Sequence, residues 1–249
     1  MSGHSKWATI KRKKAATDQA RGKLFSKYIK EVTLAARQGG GDSNANPRLR
    51  SAVAAAKSVN MPAANLERAI KRGTGEIGGA SYEETHYEGY GPGGVAVLVE
   101  VATDNRNRTT GDVRHIFTKH GGNLGEAGSV AYMFKPHGLI VVERTALAED
   151  ALIELALDAG ADDVSVEGEV YEVLTPPGQL EAVKEALAAK GIPLQSAEVT
   201  KIASVLVPLS ESEAGSILRL VEALEDHDDV QKVYANYSVP DEVLARLTQ

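Results

Sequence analysis

Residues 138–199 read GLIVVERTALAEDALIELALDAGADDVSVEGEVYEVLTPPGQLEAVKEALAAKGIPLQSAEV. Short β-branched runs alternate here with stretches whose apolar residues recur every three or four positions. The pattern predicts strands at 138–143, 163–167, 169–175 and 195–199 and helices at 147–159 and 178–190, the second closed by Gly191-Ile192-Pro193. The order β-α-β-β-α-β is that of the split ferredoxin-like unit. The flanks spell it again: strand 95–102, helix 109–120 and strand 129–135 come before, and strand 201–208, helix 211–226 and strand 230–237 come after. An α+β chain with two ferredoxin-like α/β domains is therefore expected, residues 137–199 being inserted in a discontinuous domain formed by 95–136 plus 200–240. Each would place its helices on one face of its sheet and leave the other free. The insertion requires strand 95–102 to share a sheet with strands from beyond residue 200.

Upstream, residues 76–94 read as a glycine-rich linker and residues 18–75 as an N-terminal three-helix domain. In Asp18–Arg37 the apolar residues Leu24, Phe25, Tyr28, Ile29, Val32, Ala35 and Ala36 recur at helical spacing before Gly39-Gly40-Gly41. Lys23, Lys27, Lys30 and Arg37 fall in one quadrant opposite that stripe, predicting a basic, solvent-facing side. Asn46-Pro47 caps and opens a second helix, with Leu49, Val53 and Ala56 inward and Arg50 and Lys57 outward. A third begins after Asn60-Met61-Pro62, with Leu66 and Ile70 inward and Arg68, Lys71 and Arg72 outward. The spacing of these helices fits a helix-turn-helix, but many helical hairpins share it. Residues 1–17, with Lys6, Trp7 and the run Lys11-Arg12-Lys13-Lys14, read as a basic flexible arm that orders on binding. Trp7 has two readings, a plug that packs the arm down or a stacking platform for a base.

Charge separates these parts more sharply than the total suggests. The 249 residues carry a net −6, yet residues 1–72 hold 16 Lys+Arg against 4 Asp+Glu, a net +12 beside −18 for the remainder. A segment so basic is suited to meet a polyanion. With 43% hydrophobic and 25% charged residues the composition is that of a globular protein. Runs such as Val95–Val99 fall far short of the ~20 apolar residues of a membrane-spanning helix. The opening residues show no apolar signal-peptide stretch, so no membrane association and a cytoplasmic location are expected. The absence of cysteine excludes disulfides, thiolate metal sites and thiol nucleophiles.

Catalytic constellations are not apparent. Gly121-Gly122-Asn123-Leu124-Gly125 follows a helix and precedes a strand, the reverse of a phosphate-binding loop, and Gly89–Gly94 also precedes a strand. The histidines His4, His86, His115, His120, His137 and His227 lack metal-ligand spacing. Glu83, Glu84, His86 and Glu88 suit a solvated linker better than a metal site or proton relay. No catalytic residue, metal, cofactor or small-molecule substrate is expected, and the chain does not read as an enzyme. Asp104-Asn105-Arg106-Asn107-Arg108-Thr109 follows a strand and opens a helix. Turn-and-cap chemistry and a phosphate contact through Arg106 and Arg108 describe it equally well.

The segments Gly3–Trp7, Arg21-Gly22-Lys23, Asn46–Arg50, Glu67–Gly75, Tyr87–Gly94, Thr103–Thr109 and Lys119–Gly125 together resemble the YebC family of probable transcriptional regulators, whose mitochondrial branch activates translation. Arg12 stands where such proteins often carry histidine, and keeps the positive charge. The resemblance implies a three-domain, non-enzymatic protein that binds nucleic acid. Two functions follow as expectations: a DNA-binding transcriptional regulator using its basic N-terminal domain, or a ribosome-associated translation factor gripping ribosomal RNA or tRNA. Asn and Gln pairs that read adenine edges are scarce on the basic faces, so sequence specificity should be modest. The expected nucleic-acid contacts are Lys6, Trp7, Lys11, Arg12, Lys13, Lys14, Arg21, Lys23, Lys27, Lys30, Arg37, Arg50, Lys57, Arg68, Lys71, Arg72, Arg106 and Arg108. Charge reversal at Lys23, Lys27 and Lys30 is expected to weaken binding with little loss of fold.

Overall fold

A computed structural model describes residues 18–240 together with Val243 and Arg246, and the side chains from residue 22 onward. The arm residues Lys6, Trp7, Lys11, Arg12, Lys13 and Lys14, and the side chain of Arg21, lie outside that range. Three helices, α1 (Asp18–Gly39), α2 (Pro47–Ser58) and α3 (Ala63–Gly73), precede two antiparallel sheets that carry the remaining helices. The described chain divides into two compact units, residues 18–131 with 209–235 and residues 132–208 with those from 236 onward.

In the first unit α1, α2 and α3 bury a small-residue core of Val32, Ala35, Ala36, Leu49, Ala52, Ala56, Met61, Leu66 and Ala69. The alanines let the helices approach closely, and Gly73 takes this furthest. A Cβ there would lie 2.4 Å from the Thr33 carbonyl oxygen, so any side chain would push α3 off α1. Asn46 caps α2 by accepting from the Leu49 N–H at 3.0 Å, and its amide donates to the Ala35 carbonyl at 2.8 Å. One asparagine thus starts α2 and fixes it against α1.

The same unit holds a four-stranded sheet of order β3-β1-β2-β9, with β1 at Glu83–Tyr90, β2 at Ala96–Thr103, β3 at Asn123–Leu124 and β9 at Val230–Ala235. Helix α4 (Arg106–Lys119) buries Thr109, Val113 and Phe117, and α7 (Glu211–Glu225) buries Ala214, Ile217, Leu218, Leu220, Val221 and Leu224. Ser210 and Glu213 form a capping box at the start of α7. Strand β2 pairs with β9 in the register Val97↔Ala235 to Glu100↔Lys232, so residues before 104 and after 229 share one sheet.

Two expectations for this unit are corrected. Residues 83–90 are not linker but β1, which is paired with β2 along its whole length. Three glutamates and a histidine disguised the strand, whereas Thr85, Tyr87 and Gly89 mark its inward period of two. Residues 129–135 contribute no strand to this sheet.

In the second unit β4 (Phe134–Glu143), α5 (Glu149–Asp158), β5 (Asp163–Glu167), β6 (Val170–Thr175), α6 (Leu180–Ala189) and β7 (Leu194–Ala203) form the β-α-β-β-α-β unit, with strand order β5-β6-β4-β7. Its core gathers Ile140, Val142, Leu152, Ala156, Tyr171, Val173, Val183 and Leu187. The short strands β8 (Val207–Pro208) and β10 (Tyr237–Ser238) pair in parallel. Of the expected strand 129–135 only Phe134 and Lys135 are extended, and they run on through 138–143 as β4, while Ala131–Met133 form a 3-10 turn; 195–199 runs on to Ala203 in β7, pairing with β4 from Phe134↔Ala203 onward. Pro136 suggested a break there. It is tolerated because β6 begins to pair only at Gly138, leaving residues 134–137 on a local sheet edge, where a missing N–H is acceptable.

Candidate nucleic-acid interface

The lysines on the expected basic face of α1 are engaged within the unit rather than left free in solvent, and only Lys30 of them is buried. Lys27 Nζ donates to the Glu225 carbonyl at 2.6 Å, Lys23 Nζ to the Asp226 carbonyl at 3.2 Å and Lys30 Nζ to the Asp228 carbonyl at 2.8 Å. These carbonyls lie at and just beyond the C-terminal end of α7, where partial negative charge and unpaired acceptors collect. Three lysines on adjacent turns therefore cap a helix nearly two hundred residues away. Lys30 goes further, ion-pairing with Asp229 at 2.6 Å with both side chains buried.

Asp229 is the hub of this junction. Besides Lys30 it accepts from Arg108 at 2.8 Å, Thr109 Oγ1 at 2.7 Å and Thr103 Oγ1 at 3.3 Å. Burial by itself would raise its carboxyl pKa. Hydrogen bonds from Lys30, Arg108 and Thr109 outweigh that and hold it far below the usual carboxylate range. Arg108 also meets Asp104 at 2.9 Å, and Asn105 caps α4 by accepting from the Arg108 N–H. The segment 104–109 thus performs turn-and-cap chemistry, with Arg108 given to structure and Arg106 left exposed.

Other cations bind α1 and α2 to β1. Arg48 grips Glu31 through two nitrogens at 2.8 and 3.0 Å and also meets Glu84 and Gln38. Arg37 donates to the Ser81 hydroxyl and the Tyr82 carbonyl, both at 2.8 Å. The hydrogen bond from Arg48 lowers the Glu84 pKa. Glu88, beneath, is buried and accepts from the N–H groups of Gly128, Val130 and Ala131, each at 2.7 Å. Burial would raise its pKa, and these three donors bring it below the ordinary value. Glu84 and Glu88 are therefore given to separate structural roles, with His86 beside Glu88 at 3.3 Å. Glu88→Ala should cost about 1–3 kcal/mol for each backbone donor it strands and free the 125–131 turn, seen as accelerated amide exchange at Val130 and Ala131. Unchanged exchange would show that the turn holds without the carboxylate.

Asp229, Glu84 and Glu88 all have depressed folded pKa values, so their stabilisation is complete above the unfolded carboxylate range near ~4 and is lost as pH falls through the folded values. The urea midpoint should hold steady from neutral pH to about 5 and fall steeply below about 4. A midpoint unchanged between pH 5 and 3 would contradict these assignments.

What remains for a partner is a smaller set than expected. Arg50 and Lys57 lie seven residues apart on α2, and Arg68 and Lys71 three apart on α3. All four, like Arg106, are exposed and form no ion pair among the described residues. Arg50 makes only long contacts of 3.4 Å to loop carbonyls. Lys71 shares a shallow groove with Asp42, Glu67 and Glu76, which tempers its charge. Arg72 is half-buried beside Gly79, its Nε without a hydrogen-bond partner. The corrections to the expected surface are Lys30, which is buried against Asp229, Arg108, which is ion-paired with Asp104 and Asp229 though half exposed, and Lys23, Lys27 and Arg37, whose head groups hold carbonyls of the first α/β domain. The pairing of α1 with α7 carried no local signal, since its partners lie some two hundred residues apart.

A basic helical domain tied by ion pairs to an α/β domain, with a second α/β domain interrupting the latter in sequence, is the class of architecture the chain shows, and among the described residues no helix is long and apolar enough to cross a bilayer. Residues 5–76 match the family model for the TACO1/YebC protein N-terminal domain, and residues 82–237 that for the TACO1/YebC second and third domain. The chain belongs to the TACO1/YebC family. A "Probable transcriptional regulatory protein" of Syntrophus aciditrophicus is 56% identical over all 249 residues of both chains. Another from Dictyoglomus turgidum is 55% identical, also over the full length of both. The crystal structure of a conserved hypothetical protein from Aquifex aeolicus superimposes with a TM-score of 0.82 at 50% identity, covering 91% of this chain and 94% of that one.

Proposed function

We propose that this protein is a non-enzymatic, nucleic-acid-binding regulator of gene expression that grips DNA through its N-terminal basic domain. The carrying observation is that Arg50, Lys57, Arg68 and Lys71 stand exposed and without ion pairs among the described residues, whereas Lys23, Lys27, Lys30, Arg37 and Arg48 of the same domain are engaged internally. The basic run Lys11–Lys14 adds charge at the same end of the chain. Such side chains suit phosphates, which position a protein without reading sequence. The relatives' shared name, probable transcriptional regulatory protein, supports the same reading.

A second reading, a ribosome-associated factor on ribosomal RNA or tRNA, is favoured by one feature. The exposed cations of α2 and α3 have no Asn or Gln pair beside them of the kind that reads base edges. Crosslinking in cells followed by sequencing of the bound nucleic acid separates the two, with a variant reversed at Arg50, Lys57, Arg68 and Lys71 as control. Discrete genomic sites lost in the control are the expected result. Dominant ribosomal or transfer RNA contacts would transfer the function to translation.

A further inference from the structure

Helix α4 carries a glycine that the fold does not ask for. Gly111 lies in the middle of Arg106–Lys119, is exposed and keeps a negative φ, and a Cβ built on it meets nothing within 4 Å. An interior glycine is among the least favourable helix residues. No turn or close approach within the described chain compensates for it, in contrast to Gly73 beneath α1.

The surroundings of Gly111 are polar and cationic. Asn107, Arg114, His115 and Thr118 flank it at i−4, i+3, i+4 and i+7, all exposed. Arg106 and Lys119 stand at the two ends of the helix, roughly 20 Å apart at 1.5 Å per residue, and both are exposed. The carboxylates of the same stretch are engaged, Asp104 by Arg108 at 2.9 Å and Asp112 by His227 at 3.3 Å. Arg106, Arg114 and Lys119 have no ion pair among the described residues. Neighbouring α7 adds Arg219, and burial together with the charges of Lys119 and Arg219 lowers the pKa of His120. The face offers no aromatic or aliphatic anchor of the kind that concentrates protein–protein binding energy. Its chemistry matches a polyanion.

We propose that the outer face of α4 is a second contact surface for a phosphodiester backbone, located on the first α/β domain rather than on the helical domain. The strand passes over the notch at Gly111, where the missing side chain admits close approach. Its phosphates meet Arg114 and Lys119, which flank Gly111 on either side around the helix, while Asn107 and Thr118 supply neutral donors. This inference rests on the nucleic-acid reading above and extends it to residues, Arg114 and Lys119, that the sequence pattern did not single out.

The test uses the full-length protein, a short single-stranded RNA and a DNA duplex of matched sequence, with affinity followed between 50 and 200 mM salt. Arg114→Gln combined with Lys119→Gln should lower the slope of log affinity against log salt by about 1.8 on the duplex or about 1.4 on the single strand. The probe that shows the loss identifies the nucleic acid. Gly111→Ala should raise the melting temperature and yet weaken binding several-fold, a combination that a purely structural glycine does not produce. Variants that bind both probes with wild-type affinity and slope would overturn the proposal and leave the face to an acidic protein. Wild-type protein that binds neither probe would instead remove the nucleic-acid reading itself.

Discussion

Asp229→Ala is expected to lower the stability of this protein by about 3–5 kcal/mol, the cost of stranding one member of a buried ion pair. The pair is Lys30–Asp229, at 2.6 Å with side chains 10% and 6% exposed. Removing the carboxylate leaves the Lys30 ammonium with only the Asp228 carbonyl and the face of the Tyr82 ring, 5.5 Å away, and leaves Thr103 and Thr109 without their shared acceptor. Arg108 contributes less to the loss, because it is half exposed and keeps Asp104. Lys30→Met should be milder, since Asp229 would retain Arg108 and both threonines. Urea unfolding of the two variants checks both the size and the order. A loss below about 1 kcal/mol for Asp229→Ala would mean that water reaches the site and the junction is no more than a surface pair. Charge reversal at Lys30 would place two carboxylates in one buried site, so a triple reversal of Lys23, Lys27 and Lys30 tests the fold before it tests binding.

Binding to nucleic acid should be steeply salt-dependent. Six to ten neutralised phosphates correspond to a fall in affinity of about 10³ to 10⁵ between 50 and 200 mM salt. The four exposed cations Arg50, Lys57, Arg68 and Lys71 are the described part of that set in the helical domain. Reversing them should reduce the slope on duplex DNA by about 0.9 for each phosphate no longer neutralised, while the melting temperature changes little because none is ion-paired among the described residues. Fluorescence anisotropy across a salt series measures the slope directly. A flat response in the wild type would exclude phosphate binding as the source of affinity, and an unchanged slope in the variant would exclude α2 and α3.

Local patterns carried much of the architecture. The alternation in 138–199 specified the β-α-β-β-α-β order because side chains repeat every two residues in a strand and every 3.6 in a helix. Asn46-Pro47 and Asn105 marked helix starts because capping is a contact between near neighbours. Strand β1 was hidden because Glu84 and Glu88 are made tolerable there by Arg48 and by three backbone N–H groups, partners that no window around residue 88 contains.

The +12 charge of residues 1–72 is a property of composition alone, and so is the expectation that some of it meets phosphate. How that charge divides is not. Lys23, Lys27 and Lys30 look free on a helical wheel, because a wheel shows only which face a helix buries against its nearest apolar neighbours. Folding brings the end of α7 and Asp229 to that same face, and the attraction between a lysine and a helix C-terminus or a buried carboxylate acts at a few ångströms, irrespective of separation along the chain.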